Sequence, residues 1–193
     1  MIYRRGMAGD ERTIDVDART LRAIAHPLRM RMLGILRTEG PATATSLAAR
    51  LGESSGTTSW HLRQLAEHGF IEEDTERGSR RDRWWRAAHE FTRVRPEEFL
   101  DDPENAGAVA AFLFEAMSIY YRQATNFIAN LRSWNREWVK AADMSDFQLS
   151  LTAPELTELR KELHEVVGRH TRGRKPDDEA VRVQLQLFPR RQP

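Results

Sequence analysis

From residue 14 onward, short apolar runs alternate with polar breaks, and the period of each run indicates its element. Ile14 and Val16 flank Asp15 in the period-two pattern of a brief strand. Asp17 offers an N-cap to a helix carrying Leu21, Ile24 and Ala25. His26-Pro27 ends that helix, because a residue before proline avoids the helical region. Pro27 suits the first turn of a second helix, whose buried stripe is Leu28, Met32, Leu33, Ile35 and Leu36 and whose stop is Gly40-Pro41. Residues 44–51 form a short third helix with Leu47, Ala48 and Leu51 inward, closed by Gly52. Ser54 opens a fourth, reaching about His68, anchored by Leu62, Leu65 and Ala66 and ended by Gly69. Phe70-Ile71-Glu72-Glu73 and Arg83-Trp84-Trp85-Arg86 are β-prone runs around a polar tip with Gly78 and Ser79, the pattern of a hairpin with a long loop. Period two sends Trp84 and Trp85 to opposite faces, one into the core and one partly exposed.

Beyond the hairpin the pattern changes. Residues 91–105, with Pro96 and Pro103, read as a linker. A long helix is expected over about 106–141, because Leu113, Met117, Tyr120, Ala124, Phe127, Leu131, Trp134 and Trp138 keep a heptad spacing. Phe147, Leu149 and Leu151 alternate as in a strand. Thr152-Ala-Pro-Glu155 is a capping box for a helix over 154–170, and Val181, Val183, Leu185 and Leu187 alternate as a final strand. The expected organisation is a disordered tail over 1–13, a compact domain over 14–90, a linker over 91–105 and a helical region with a short β-α-β element over 106–193. The expected fold class is mainly α with a little β.

Composition narrows the function. The chain has 193 residues, no cysteine and a net charge of +1. Without cysteine there is no disulfide framework and no thiolate metal site. No run is long enough to span a membrane, and the polar first residues do not resemble a signal peptide, so a cytoplasmic location is expected. Charge is uneven: residues 1–95 carry 17 arginines against 13 acidic residues, which makes the first half the better partner for a polyanion. No Gly-rich phosphate loop, H-E-x-x-H motif or acid–base pair argues for an enzyme, and no cofactor motif is present. His164, His170, Glu158 and Glu162 hold the one candidate nitrogen–oxygen metal set, but the histidines are six apart and do not share a helix face, so no metal is assigned.

Two helices, a short helix, a tight turn, another helix and a basic hairpin make the order of a winged helix-turn-helix. A helix fits the major groove and presents side chains to base edges. In the 54–68 helix, Thr57, Trp60, His61 and Gln64 stand at i, i+3, i+4 and i+7, one face opposite the Leu62/Leu65 anchor, and Thr58 and Arg63 lie on the same helix. Thr43, Thr45, Ser54 and Ser55 sit near helix N-termini, where hydroxyls and free N–H groups hold phosphates. Arg77, Arg80, Arg81 and Arg83 crowd the hairpin tip, with Glu76 and Asp82 as offsetting partners.

The run Ala23-Ile-Ala-His-Pro-Leu-Arg-Met-Arg-Met-Leu-Gly-Ile-Leu resembles the entry helices of ArsR-like winged-helix regulators, with their A-x-x-H-P-x-R-x-x-I-L pattern. Ser59-Trp-His-Leu-Arg-Gln-Leu-Ala-Glu-His-Gly-Phe-Ile resembles their recognition helix and wing start. The similarity covers about residues 17–90. It implies a homodimer that binds a palindromic operator in double-stranded DNA, usually repressing, with an effector that loosens DNA. It places base contacts on Ser55, Thr57, Trp60 and His61, although Trp60 stands where a polar residue is more usual.

The seam of Leu113, Met117, Tyr120, Phe127, Leu131, Trp134 and Trp138 is expected as the dimer interface, with packing inside one chain as the other reading. The aromatics of that region also suit an apolar pocket for a small-molecule effector. The competing function is a winged helix that binds a partner protein instead of DNA.

Overall fold

The computed structural model describes residues 13–77, 83–170, 172 and 175–190. These residues form seven α-helices and five short strands and fall into two compact units, one running to Ala129 and one from Asn130 onward.

The first unit begins with β1 (Thr13–Asp15) and α1 (Ala18–Ile24). Asp17 caps α1 in a reciprocal box, its carboxylate accepting from the Thr20 N–H at 2.8 Å. The bonds it accepts from Thr20 hold the Asp17 carboxyl below the usual carboxylate range. α2 (Pro27–Glu39) starts at the expected proline, with His26 Nδ1 accepting from the Leu28 N–H at 3.2 Å. β2 (Ala42–Thr43) leads into α3 (Ala44–Leu51), and Ser54 caps α4 (Ser55–Glu67) by accepting from the Thr57 N–H at 3.0 Å. The turn between α3 and α4 hinges on Gly52, whose φ of +70° is left-handed and open to glycine at little cost.

Leu21, Ile24, Met32, Leu33, Leu47, Leu62, Leu65 and Phe70 are all but fully buried in one core that joins α1 to α4. Each such side chain is worth roughly 1.5–3 kcal/mol over an exposed one. Met30 is buried as well, while Ile35, expected in the α2 stripe, is only half-buried against this core.

β3 (Ile71–Glu73) and β4 (Trp84–Ala87) pair antiparallel, Glu73 opposite Trp85, and β2 pairs with the other edge of β4, giving the order β2-β4-β3. Trp85 is buried and Trp84 half-exposed, as the alternation requires.

The stretch 91–105 is packed, where a linker was expected. β5 (Phe91–Arg93) pairs parallel with β1, and a 3-10 turn over Pro96–Glu98 delivers Phe99 into the core. Pro96 opens that turn with a ready-made φ and so acts as a folding residue here.

α5 (Pro103–Ala129) starts where the Asp102 carboxylate accepts from the Glu104 N–H at 2.8 Å, and it packs on α1 and α2. Its inner stripe is Val109, Phe112, Ala116 and Ile119. Leu113, Phe114, Met117, Tyr121 and Ile128 are exposed.

The helix expected over 106–141 is interrupted. It stops at Ala129, and a 3-10 turn (Leu131–Ser133) and an extended Trp134 separate it from α6 (Arg136–Ala141). Asn135 causes the restart, because its side chain accepts from the Glu137 N–H at 3.0 Å and so favours a new N-terminus over a continued helix. In the second unit, α7 (Ala153–His170) opens on the Thr152/Glu155 box, and the Glu155 carboxylate accepts from the Thr152 N–H at 2.7 Å. That bond holds the Glu155 carboxyl below its usual range. The two strands expected on either side of α7 do not form: 143–152 and 179–190 carry no ladder. A pair of short strands needs a helix face or further strands to bury its apolar side, and in α7 Gly168 is the one buried residue.

Candidate nucleic-acid interface

α4 is held from behind by Leu62 and Leu65, so its solvent face is set by rotation about that anchor. Ser55, Thr57, Trp60 and Arg63 are exposed on it, and Ser59 and Gln64 are half-exposed. Trp60 retains 49% of its accessible area, a large share for an indole that has neighbours to pack on. Arg63 makes no ion pair among the described residues and projects beside Ser59, one turn away.

Two of the expected contacts are turned inward. Thr58 is fully buried, and its hydroxyl donates to the Ser54 carbonyl at 2.9 Å. His61 is 6% exposed, with its ring 4.5 Å from that of His26 and in an edge contact with Trp60 at 4.7 Å. Both therefore face the core, and the outer face is centred near Trp60 and Arg63. The i, i+3, i+4, i+7 spacing groups Thr57, Trp60, His61 and Gln64, but His61, next to the Leu62 anchor, turns inward.

Thr43, Thr45, Arg63 and Arg83 line one cleft of about 360 Å3, together with Ala44, Ser59 and Trp85. Thr43 caps α3, its hydroxyl accepting from the Ser46 N–H at 3.1 Å, while Thr45 is exposed in the first turn. Ser59 was missed by the sequence reading, yet it stands four residues before Arg63, the spacing that puts two side chains on one helical face. The alternation puts one of Trp84 and Trp85 in the core without saying which; Trp85 is the buried one, and its strand pairs with β2 at Ala42.

The arginines near the hairpin have different partners from those expected. Arg83 Nε donates to Glu73 Oε2 at 3.1 Å, and its guanidinium lies 5.6 Å from the Trp85 ring. Arg77 pairs with the buried Asp74 at 3.6 Å. Exposed pairs of this kind are worth at most about 1 kcal/mol, so a phosphate can compete for Arg83. Arg80 and Arg81 lie outside the described residues, as does Asp82.

Behind α4, His26, His61 and Arg29 form a cluster of ionisable nitrogen groups. The Nδ1 of His61 and the Nε of Arg29 are buried without a hydrogen-bond partner among the described residues. Burial pushes all three towards their neutral forms, and for the two imidazoles the Arg29 charge adds to the effect. His61 is further disfavoured by His26 and partly relieved by Glu53.

The residues expected at a dimer interface divide between the two units. Leu113 and Met117 are exposed on α5, Phe127 is half-buried and Tyr120 packs against the core of the first unit. Leu131, Trp134 and Trp138 belong to the second unit, each retaining close to two-fifths of its area. Among the described residues, no three metal-capable side chains converge, and no helix is long and apolar enough to cross a membrane.

No curated protein matches the chain significantly. A family model for a helix-turn-helix domain matches residues 24–74, from the end of α1 to the end of β3. This span contains α3, the Gly52 turn and α4, and the chain carries a helix-turn-helix domain of the kind that binds DNA.

Proposed function

We propose that this protein is a sequence-specific, DNA-binding transcriptional regulator of ArsR-like type that acts in the cytoplasm as a homodimer on a palindromic operator and represses. The observation that carries the reading is the exposed Ser55–Trp60–Arg63 face of α4 beside the cleft of Thr45, Ser59, Arg63 and Arg83. α4 enters the major groove with Trp60 against base edges or a thymine methyl, and Arg63 and Arg83 hold the flanking phosphates. Leu113 and Met117 on α5 offer one surface for joining two protomers, and Leu131, Trp134 and Trp138 of the second unit offer another. An apolar effector that binds among the aromatics of that half would change the spacing of the two reading heads.

The test is fluorescence anisotropy on DNA from upstream of the protein's own gene and on shuffled DNA, across a salt series. Preference for the first DNA that is lost in Trp60→Ala supports base readout by this face. An Arg63→Ala variant that weakens both DNAs alike and flattens the salt slope by about one supports phosphate contact. Failure to bind genomic fragments even at low salt refutes the reading and leaves the protein-partner function.

A further inference from the structure

The second unit has almost no interior. Among its described residues, from Asn130 to Arg190, Gly168 alone is buried. The apolar residues are there, but on the outside. Phe147, Leu149 and Leu151 precede α7, and Val181, Val183 and Leu185 follow it; each is exposed, Phe147 at 79% and Val181 at 70%. Both segments carry neither helix nor strand, and both alternate apolar with polar side chains. Leu156, Leu159 and Leu163 of α7 are only half-buried, so the helix also offers an uncovered stripe. A stretch this small cannot fold on so little burial, and the missing half of its core must come from outside it.

We propose that the two segments, 146–152 and 181–188, are dimerisation arms that become β-strands by pairing with a second copy of this chain, closing a shared core over the α7 helices. The inference rests on the homodimer reading above and names the surface that makes the dimer. Three observations favour a second copy as the occupant. The six alternating residues with Phe188 expose roughly 800 Å2, the area that one partner buries in a standard interface. Residues 130–193 carry 12 basic and 10 acidic side chains, so a second copy meets no like-charge field and no strong charge selects a foreign partner. Each chain has two such segments flanking one helix, so a twofold axis can pair each segment with its counterpart and close the assembly at two copies.

The test uses the full chain. Sedimentation equilibrium gives the mass at micromolar concentration, and backbone hydrogen exchange reads segments 146–152 and 181–188. The expected result is twice the chain mass, with exchange in both segments slowed by a factor on the order of 100 relative to an unpaired chain. A Val183→Glu/Leu185→Glu variant puts charge on the paired face and reduces the mass to one copy, while Arg182→Glu on the opposite face leaves it at two. The urea midpoint of the first unit, read in the same variants, reports whether the fold has been lost for another reason. A monomer overturns the homodimer reading and this inference together. A dimer whose two segments exchange freely, or whose mass ignores Val183→Glu/Leu185→Glu, overturns the arms alone and leaves α5 as the joining surface. Because the chain has no cysteine, a single Val183→Cys carries a spin label at one known place, and a broadened distance distribution without a defined separation between copies also overturns the pairing.

Discussion

Arg37 allows a quantitative test of what fixes the hairpin to the helices. It lies in the last turn of α2, half-buried, with Nε donating to the His89 carbonyl and Nη2 to the Thr92 hydroxyl, both at 2.9 Å. These bonds tie α2 to the segment between β4 and β5. Among the described residues no carboxylate pairs with it, and burial lowers the guanidinium pKa to about 10. The drop from 12.5 corresponds to a desolvation cost of about 3 kcal/mol. Two hydrogen bonds from a charged donor return about 1.5–3 kcal/mol each, so the net contribution is small and favourable.

Arg37→Met keeps the aliphatic stem and removes both bonds together with the desolvation cost, and is expected to lose about 1–2 kcal/mol. Arg37→Ala also removes about three methylenes at about 0.8 kcal/mol each, and is expected to lose about 3–4 kcal/mol. Urea unfolding followed by circular dichroism measures both, with an unchanged m-value as the check that the unfolded state is the same. A Met variant as damaging as the Ala variant would show that the bonds dominate and that desolvation does not offset them.

The other expectations concern α4 and the turn before it. Thr58→Val deletes the hydroxyl bonded to Ser54 without changing shape, so it should cost about 1 kcal/mol in thermal unfolding yet leave the ratio of specific to nonspecific DNA affinity unchanged; a change in that ratio would return Thr58 to the base contacts. Gly52→Ala forces a side chain into φ +70°, with an expected cost of about 1–2 kcal/mol in the same assay, and a neutral result would mean that the turn can relax. His26 and His61 have folded pKa values below their unfolded value of 6.5, so the folded state binds fewer protons than the unfolded one. Their contribution is complete above about pH 6.5 and declines as pH falls from there towards the depressed folded values. Thermal unfolding between pH 7.5 and 5 should show this slope, and His61→Leu should flatten it; an equal slope in the variant would assign the effect to other groups.

The helix-turn-helix was legible because each of its boundaries has a local chemical cause. Asp17, Pro27, Ser54 and Gly52 act through hydrogen bonds or φ preferences within three or four residues, and the structure uses each as the sequence implies. Rotation about an axis was less legible. His61 and Trp60 are adjacent on the same helix, yet one packs on His26 and the other faces solvent, and only the location of the neighbouring α2 N-terminus decides which. The linker reading failed for the same reason: Phe99 is one apolar residue among prolines and acids, and its burial depends on a cavity made by elements far away in sequence.

The second half shows where period alone stops. The heptad spacing from Leu113 to Trp138 is real, but a seam describes a helix only if the backbone between its members can stay helical. The Asn135 side chain takes the Glu137 N–H, and the helix that ends at Ala129 restarts only beyond it. Alternation at 147–151 and 181–187 is equally real and equally insufficient, because a strand exists only with a partner, and each segment finds none among the described residues. A strong local pattern left unsatisfied by its own fold is itself informative. Random polar loops would not keep three apolar residues in register on both sides of one helix, and so many exposed large side chains would leave a solitary chain prone to aggregate. The pattern is consistent across levels only when a second surface is added, which is why the mass of the full chain in solution tests the reading of its second half more directly than any substitution within it.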